Sequence, residues 1–176
     1  MNNKEKIKFS DAIFNNSGFS VLRLTNEIKS EIEPYIKQAI INYNSEPKFD
    51  GRVNEFGNYM ESVLANTSSE KFSKPTKVDG KKQNAGYPDS KFISSITPEI
   101  IVYPEVKVFN KGSELSSFRS FYVSTFTKIT SDAMHIVIGF EHSDKILTGK
   151  YHIIDMIDKT LSVKVELACS NVELYK

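Results

Sequence analysis

The hydrophobic period of this chain changes once along its length, from about 3.6 residues to about 2, and few architectures accommodate both halves. From Thr25 to Tyr43, "TNEIKSEIEPYIKQAIINY" sets Ile28, Ile32, Tyr35, Ile36, Ala39, Ile40 and Tyr43 at helical spacing. Pro34 predicts a kink or a fresh helix start inside this stretch. A second helix is predicted over Asn54 to Asn66, with Phe56, Met60, Val63 and Leu64 on one side and Glu55 and Glu61 on its flanks. After Gly86 the pattern becomes β-like. Short runs fall near Asp89–Ser95, Glu99–Phe109, Ser120–Ile129, Met134–His142, Tyr151–Asp158 and Leu161–Cys169, with "NKGS" and "IDKT" as turn signals. Helices followed by strands, with no repeat and no domain-scale linker, predict one α/β (α+β) domain with a mixed sheet. Its parts are a mainly helical segment 1–66, a basic loop 67–86 and a β-rich segment 87–176.

Composition narrows the classes. At 176 residues, 39% hydrophobic and 26% charged, the chain can bury a core without covalent staples. Cys169 is the only cysteine, which excludes an internal disulfide and any multi-cysteine zinc site. His135, His142 and His152 are too widely spaced for a zinc motif. "MNNKEKIKFSDAIF" has no continuous apolar core, and no stretch approaches the roughly 18 apolar residues of a membrane span. A soluble, cytoplasmic protein with no membrane partner is expected. The net charge of +1 is neutral on partners, so the distribution of charge matters more. Lys71, Lys74, Lys77, Lys81 and Lys82 crowd into "EKFSKPTKVDGKK", which is either a solvated surface ribbon or an arm that contacts phosphates.

One strand is unusual. "IVYPEVKVF" is apolar except for a glutamate and a lysine, and alternation puts Tyr103, Glu105, Lys107 and Phe109 on one face and Val102, Pro104, Val106 and Val108 on the other. Pro104 predicts an edge or a bulge at this point. Upstream, "GYPDSKF" supplies Asp89, and the gap to Glu105 is long enough for a hairpin that brings the carboxylates together. Neighbouring carboxylates repel, and a divalent cation removes that penalty. Mg²⁺ prefers a few carboxylate oxygens while keeping waters, and a lysine beside it suits phosphodiester hydrolysis.

Pro88-Asp89 followed by Glu105-Val106-Lys107 resembles the PD-(D/E)xK nuclease motif, most familiar from type II restriction endonucleases. The resemblance is firmest over residues 86–110. It implies a restriction-endonuclease-like core, a mixed central sheet flanked by helices, with Asp89 and Glu105 as Mg²⁺ ligands and Lys107 as the catalytic lysine. It further implies a supporting glutamate from a preceding helix, Glu61 or alternatively Glu55. The expected activity is hydrolysis of double-stranded DNA at a specific site, leaving 5′-phosphates, by a homodimer with one active site per strand. Lys71, Lys74, Lys77, Lys81, Lys82, Arg119 and Lys128 are candidate DNA contacts. Other readings are a repair nuclease, a junction resolvase, or a non-catalytic binding module in which Glu105 and Lys107 form only an ion pair.

Other residues suggest less. No nucleophile elbow, P-loop or dinucleotide glycine pattern occurs. His135 reads as a packed or hydrogen-bonded histidine and Cys169 as a small core residue. Phe118, Phe121, Tyr122 and Phe126 read as core.

Overall fold

The computed structural model describes residues 5–77, 79–81, 86–96, 100–113 and 128–163. In chain order the elements are β1 (Lys6–Lys8), α1 (Phe9–Ser17), β2 (Val21–Leu22), α2 (Asn26–Ser45), a 3₁₀ turn (Val53–Glu55), α3 (Phe56–Thr67), β3 (Phe72–Ser73), β4 (Lys91–Ile93), β5 (Ile101–Asn110), β6 (Ala133–Ser143), β7 (Ile146–Asp155) and β8 (Thr160–Ser162). The main sheet runs β2-β6-β5-β4-β3, with β7 also paired to β6; β1 and β8 make a separate antiparallel ribbon. It is mixed, since β5 and β2 lie parallel to β6 while β4 and β7 run antiparallel to their neighbours.

Helix α2 begins where Thr25 accepts a hydrogen bond from Ile28 N at 3.3 Å. It continues through Pro34 rather than restarting there. Pro34 and Ser30 face solvent, so water can satisfy the carbonyl that the missing N–H leaves unpaired. On the other side, Ile28, Ile32, Ile36, Ala39, Ile40 and Tyr43 are buried. They pack with Phe56, Met60 and Leu64 of α3 against Val102 and Val106 of β5 and Ile136, Ile138 and Phe140 of β6. A second cluster builds on Phe9 and Ile13 of α1 and includes Tyr87, Tyr103 of β5, Ile129 and Met156. Strand β5 is therefore buried on both faces, as parallel strands tend to be, and the valine face goes into the core as its alternation predicts.

Pro104 fits without a bulge, because β5 and β6 keep one register from Ile101 to Asn110. Ladder pairing to β4 stops at Val102. The carbonyl of Ile100 points to β4, where it accepts from Ser94 N. By alternation, Pro104 turns its nitrogen to the same side, beyond the end of the β4 ladder, so no ladder bond is lost. This local edge also opens the space in which the site forms.

Several elements depart from the sequence reading. Within the segment read as a basic loop, Phe72 and Ser73 form β3 against β4. The run from Ile146 to Lys150 belongs to β7, whose turn from β6 is made by Asp144 and Lys145 at φ 48° and 64°. Such a turn usually advertises itself by Asn-Gly or Asp-Gly, and this one does not. Most of the strand predicted over 120–129, the end of that over 161–169, Cys169 and the aromatics from Phe118 to Phe126 lie outside the described residues.

Candidate active site

Two facts of backbone geometry place the acids. The β4–β5 ladder pairs Phe92 with Val102 and Ile93 with Ile101. Continued three residues beyond Phe92 and Val102, that register sets Asp89 opposite Glu105. The carboxylates do interact there. Glu105 is only 5% exposed, and burial pushes its carboxyl up; Lys107 opposes the shift and Asp89 adds to it.

Lys107 follows on the same face and gives its Nζ to Glu105 Oε1 at 2.5 Å. The other oxygen, Oε2, is buried with no hydrogen-bond donor among the described residues. Burying a carboxylate oxygen without a donor is costly. A surface ion pair would explain Oε1 alone; a buried oxygen without a donor among the described residues, on a carboxylate that interacts with Asp89, suits a small oxygen-seeking cation. The donor chemistry fits Mg²⁺, which takes one or two carboxylates and keeps the rest of its shell as water or substrate. Among the described residues no group of three His, Cys, Asp or Glu side chains forms a ready-made metal cage.

A cleft of about 230 Å³ opens beside the pair, lined by Asn58, Glu61, Ser62, Lys74, Pro75, Asp89 and Lys128. Glu61 comes from α3, whose apolar stripe of Phe56, Met60 and Leu64 fixes its rotation. Burial, then the charge of Asp89, pushes the Glu61 carboxyl up to about 7, with Lys74, Lys128 and Lys107 pulling the other way. Glu55 is placed differently: it is exposed and accepts a hydrogen bond from Arg52 N at 3.1 Å.

A family model for the type II restriction enzyme MjaV family matches residues 2–176. The chain belongs to that family. The type II restriction enzyme MjaV of Methanocaldococcus jannaschii is 32% identical to it, over 98% of this chain and 86% of its own length. No solved structure matches the chain. Among the described residues no helix is long and apolar enough to cross a membrane.

In this member of the MjaV family the lysines taken together in the sequence occupy different settings. Lys71 turns inward: its Nζ reaches Glu31 Oε1 at 3.3 Å, touches Ser95 Oγ, and lies 5.8 Å from the Phe92 ring centroid. Lys74 lines the cleft. Lys77 and Lys81 sit in a turn closed by Lys77 N to Lys81 O at 2.9 Å, and Lys81 pairs with Asp79 at 3.4 Å. Lys82 and Arg119 lie outside the described residues. Lys128 lies in the cleft rather than on an outer surface.

Behind Asp89, a buried polar pair ties its turn to the centre of the sheet. Tyr87 Oη and His135 Nδ1 are 2.7 Å apart, and the rings stack at 5.7 Å between centroids. Burial holds His135 neutral, its pKa pushed down to about 3. The sequence reading had His135 packed or hydrogen-bonded but had no signal for Tyr87 as its partner, because the contact spans 48 residues. Removing the hydroxyl by Tyr87→Phe takes the partner from His135 Nδ1, alongside an Nε2 with no partner among the described residues. The expected cost is about 1–3 kcal/mol of unfolding free energy, read from urea denaturation; an unchanged midpoint would show that the pair contributes nothing.

Proposed function

We propose that the chain is a Mg²⁺-dependent endonuclease of PD-(D/E)xK type that hydrolyses both strands of duplex DNA at a specific sequence. Membership of a type II restriction enzyme family supports the class. The observation that carries the site is the buried Glu105 carboxylate, which interacts with Asp89, pairs with Lys107 through Oε1 and has no donor to Oε2 among the described residues. Asp89 and Glu105 would hold the cation, with Glu61 in support. When bound, the cation would supply Lewis acidity for the phosphate and acidify a water.

The chain's own groups do the rest. Lys107, with its side chain 26% exposed, keeps Glu105 oriented and presents a cation to the reacting phosphate. Lys74, at the rim, and Lys77 and Lys81 beyond it supply positive charge for the DNA backbone. Cutting at a symmetric site is met most simply by a homodimer acting in the cytoplasm, one site per strand. The products would be 5′-phosphate and 3′-hydroxyl ends.

The test is incubation of phage and plasmid DNAs with the protein in Mg²⁺ or EDTA. Discrete fragments in Mg²⁺ alone, religated by DNA ligase without prior phosphorylation, are expected. A smear, or cutting that persists in EDTA, would contradict the proposal.

A further inference from the structure

We propose that Lys128 is a further catalytic residue, one that contacts the scissile phosphate from the cleft wall rather than gripping DNA outside the site. This inference rests on the nuclease reading above.

Lys128 is only 2% exposed, whereas lysines that track a DNA backbone stand out in solvent, as Lys74 and Lys81 do. A lysine this buried is rare unless its charge is answered. Here it is answered by position, since Lys128 lines the same cleft as the carboxylates of Asp89 and Glu61. Its backbone is held firmly. Ile129 is 1% exposed in the α1-side core, and Thr130 N donates to Tyr103 Oη of β5 at 3.2 Å. The side chain thus enters the cleft from a fixed base beside the carboxylates.

The charge count explains what it would do. Without substrate, the site sets three lysines, Lys128, Lys107 and Lys74, against three carboxylates, Asp89, Glu61 and Glu105. Once a divalent cation takes those oxygens, Lys128 is left beside another positive charge with its partners engaged. An anion relieves that conflict, and the anion that nuclease chemistry brings is a non-bridging phosphate oxygen. In hydrolysis the water oxygen bonds to phosphorus and the bond to the 3′ oxygen breaks. The proton that water loses is matched by the one that the 3′ oxygen gains. Charge on the non-bridging oxygens grows through this step, and Lys128 stabilises it while keeping its own proton.

The test uses the full chain as wild type, Lys107→Ala, Lys128→Met and Lys128→Arg. The measurements are single-turnover cleavage in Mg²⁺, duplex binding in EDTA and Ca²⁺ affinity. For Lys128→Met, cleavage is expected to slow ~10²-fold while duplex affinity in EDTA stays within ~3-fold, because the contact belongs to the reacting phosphate. Ca²⁺ should bind several-fold more tightly once a competing cation is gone. Lys128→Arg should recover much of the rate. Should Lys128→Met not fold, Lys128→Gln serves for the same measurements.

A wild type that cuts in Mg²⁺ and stops in Lys107→Ala secures the nuclease reading. Against that background, wild-type cleavage by Lys128→Met would overturn the role of Lys128 alone. A loss of duplex affinity in EDTA matching its loss of rate would do the same. A wild type that cuts no DNA would overturn both readings.

Discussion

Lys107→Ala is expected to slow single-turnover DNA cleavage by ~10³-fold or more while leaving duplex binding nearly intact. Lys107 does two things at once: it pairs with Glu105 Oε1 at 2.5 Å and presents its charge beside an Oε2 without a donor among the described residues. Deleting it removes a cation from the proposed site and leaves Glu105 Oε1 without the donor that Lys107 supplies. Rates measured against enzyme concentration on a cleavable plasmid, with gel-shift affinities in Ca²⁺, separate the two effects. A fall in affinity as large as the fall in rate would make Lys107 a binding residue only.

Glu105→Gln should abolish cleavage yet stabilise the metal-free protein above neutral pH. The environment of Glu105 disfavours its charged form, through burial first and Asp89 next, and raises its pKa from 4.5 to about 7. Glu61 is raised in the same sense. A folded-state pKa above the unfolded value means that the native state binds the proton more tightly in that window. Wild-type stability without metal therefore falls as pH rises from about 4.5 to about 7, then levels off. A neutral glutamine at 105 removes part of this loss. The gain is of the order of 1 kcal/mol, or roughly 2–4 °C in Tm, at pH 8 in EDTA, and it should vanish by pH 5. Divalent metal should raise the wild-type Tm and have little effect on the variant. A variant less stable than wild type at pH 8 would show that losing the Lys107 partner outweighs relief of the carboxylate.

How much of this is legible in the sequence follows from how local each feature is. Helices α2 and α3 declare themselves by their apolar spacing. Strand β5 does so by its alternation, because burial of one face repeats at fixed intervals along the chain. The convergence of Asp89 with Glu105 is semi-local, since a hairpin sets it once the register is fixed. Glu61 over Glu55 depends on where α3 packs: Glu61 turns to the cleft, and Glu55 spends its carboxylate on the backbone of Arg52.

What the sequence conceals is long-range. Lys71 reads like its lysine neighbours, but Glu31 lies 40 residues away and draws it inward. Lys128 reads as a cation on a polar strand, and only the fold shows it buried beside the acids. The small elements β1, α1 and β2 carry too few periodic residues to be read in advance, although Phe9 and Ile13 of α1 anchor the second core. Glu105 and Lys107 do form an ion pair, as a binding module would have it. That pair leaves unexplained why a carboxylate that interacts with Asp89 keeps Oε2 buried without a donor among the described residues.

The central claim is that Asp89 and Glu105 jointly hold the cation on which cutting depends. It is tested most directly by cleavage of one phage DNA across a Mg²⁺ titration, with wild type and Asp89→Asn side by side. The expected result is saturable, metal-dependent production of discrete fragments by wild type, and none by Asp89→Asn even where wild type is saturated. Fragments from Asp89→Asn at the wild-type rate and the same Mg²⁺ dependence would contradict the account.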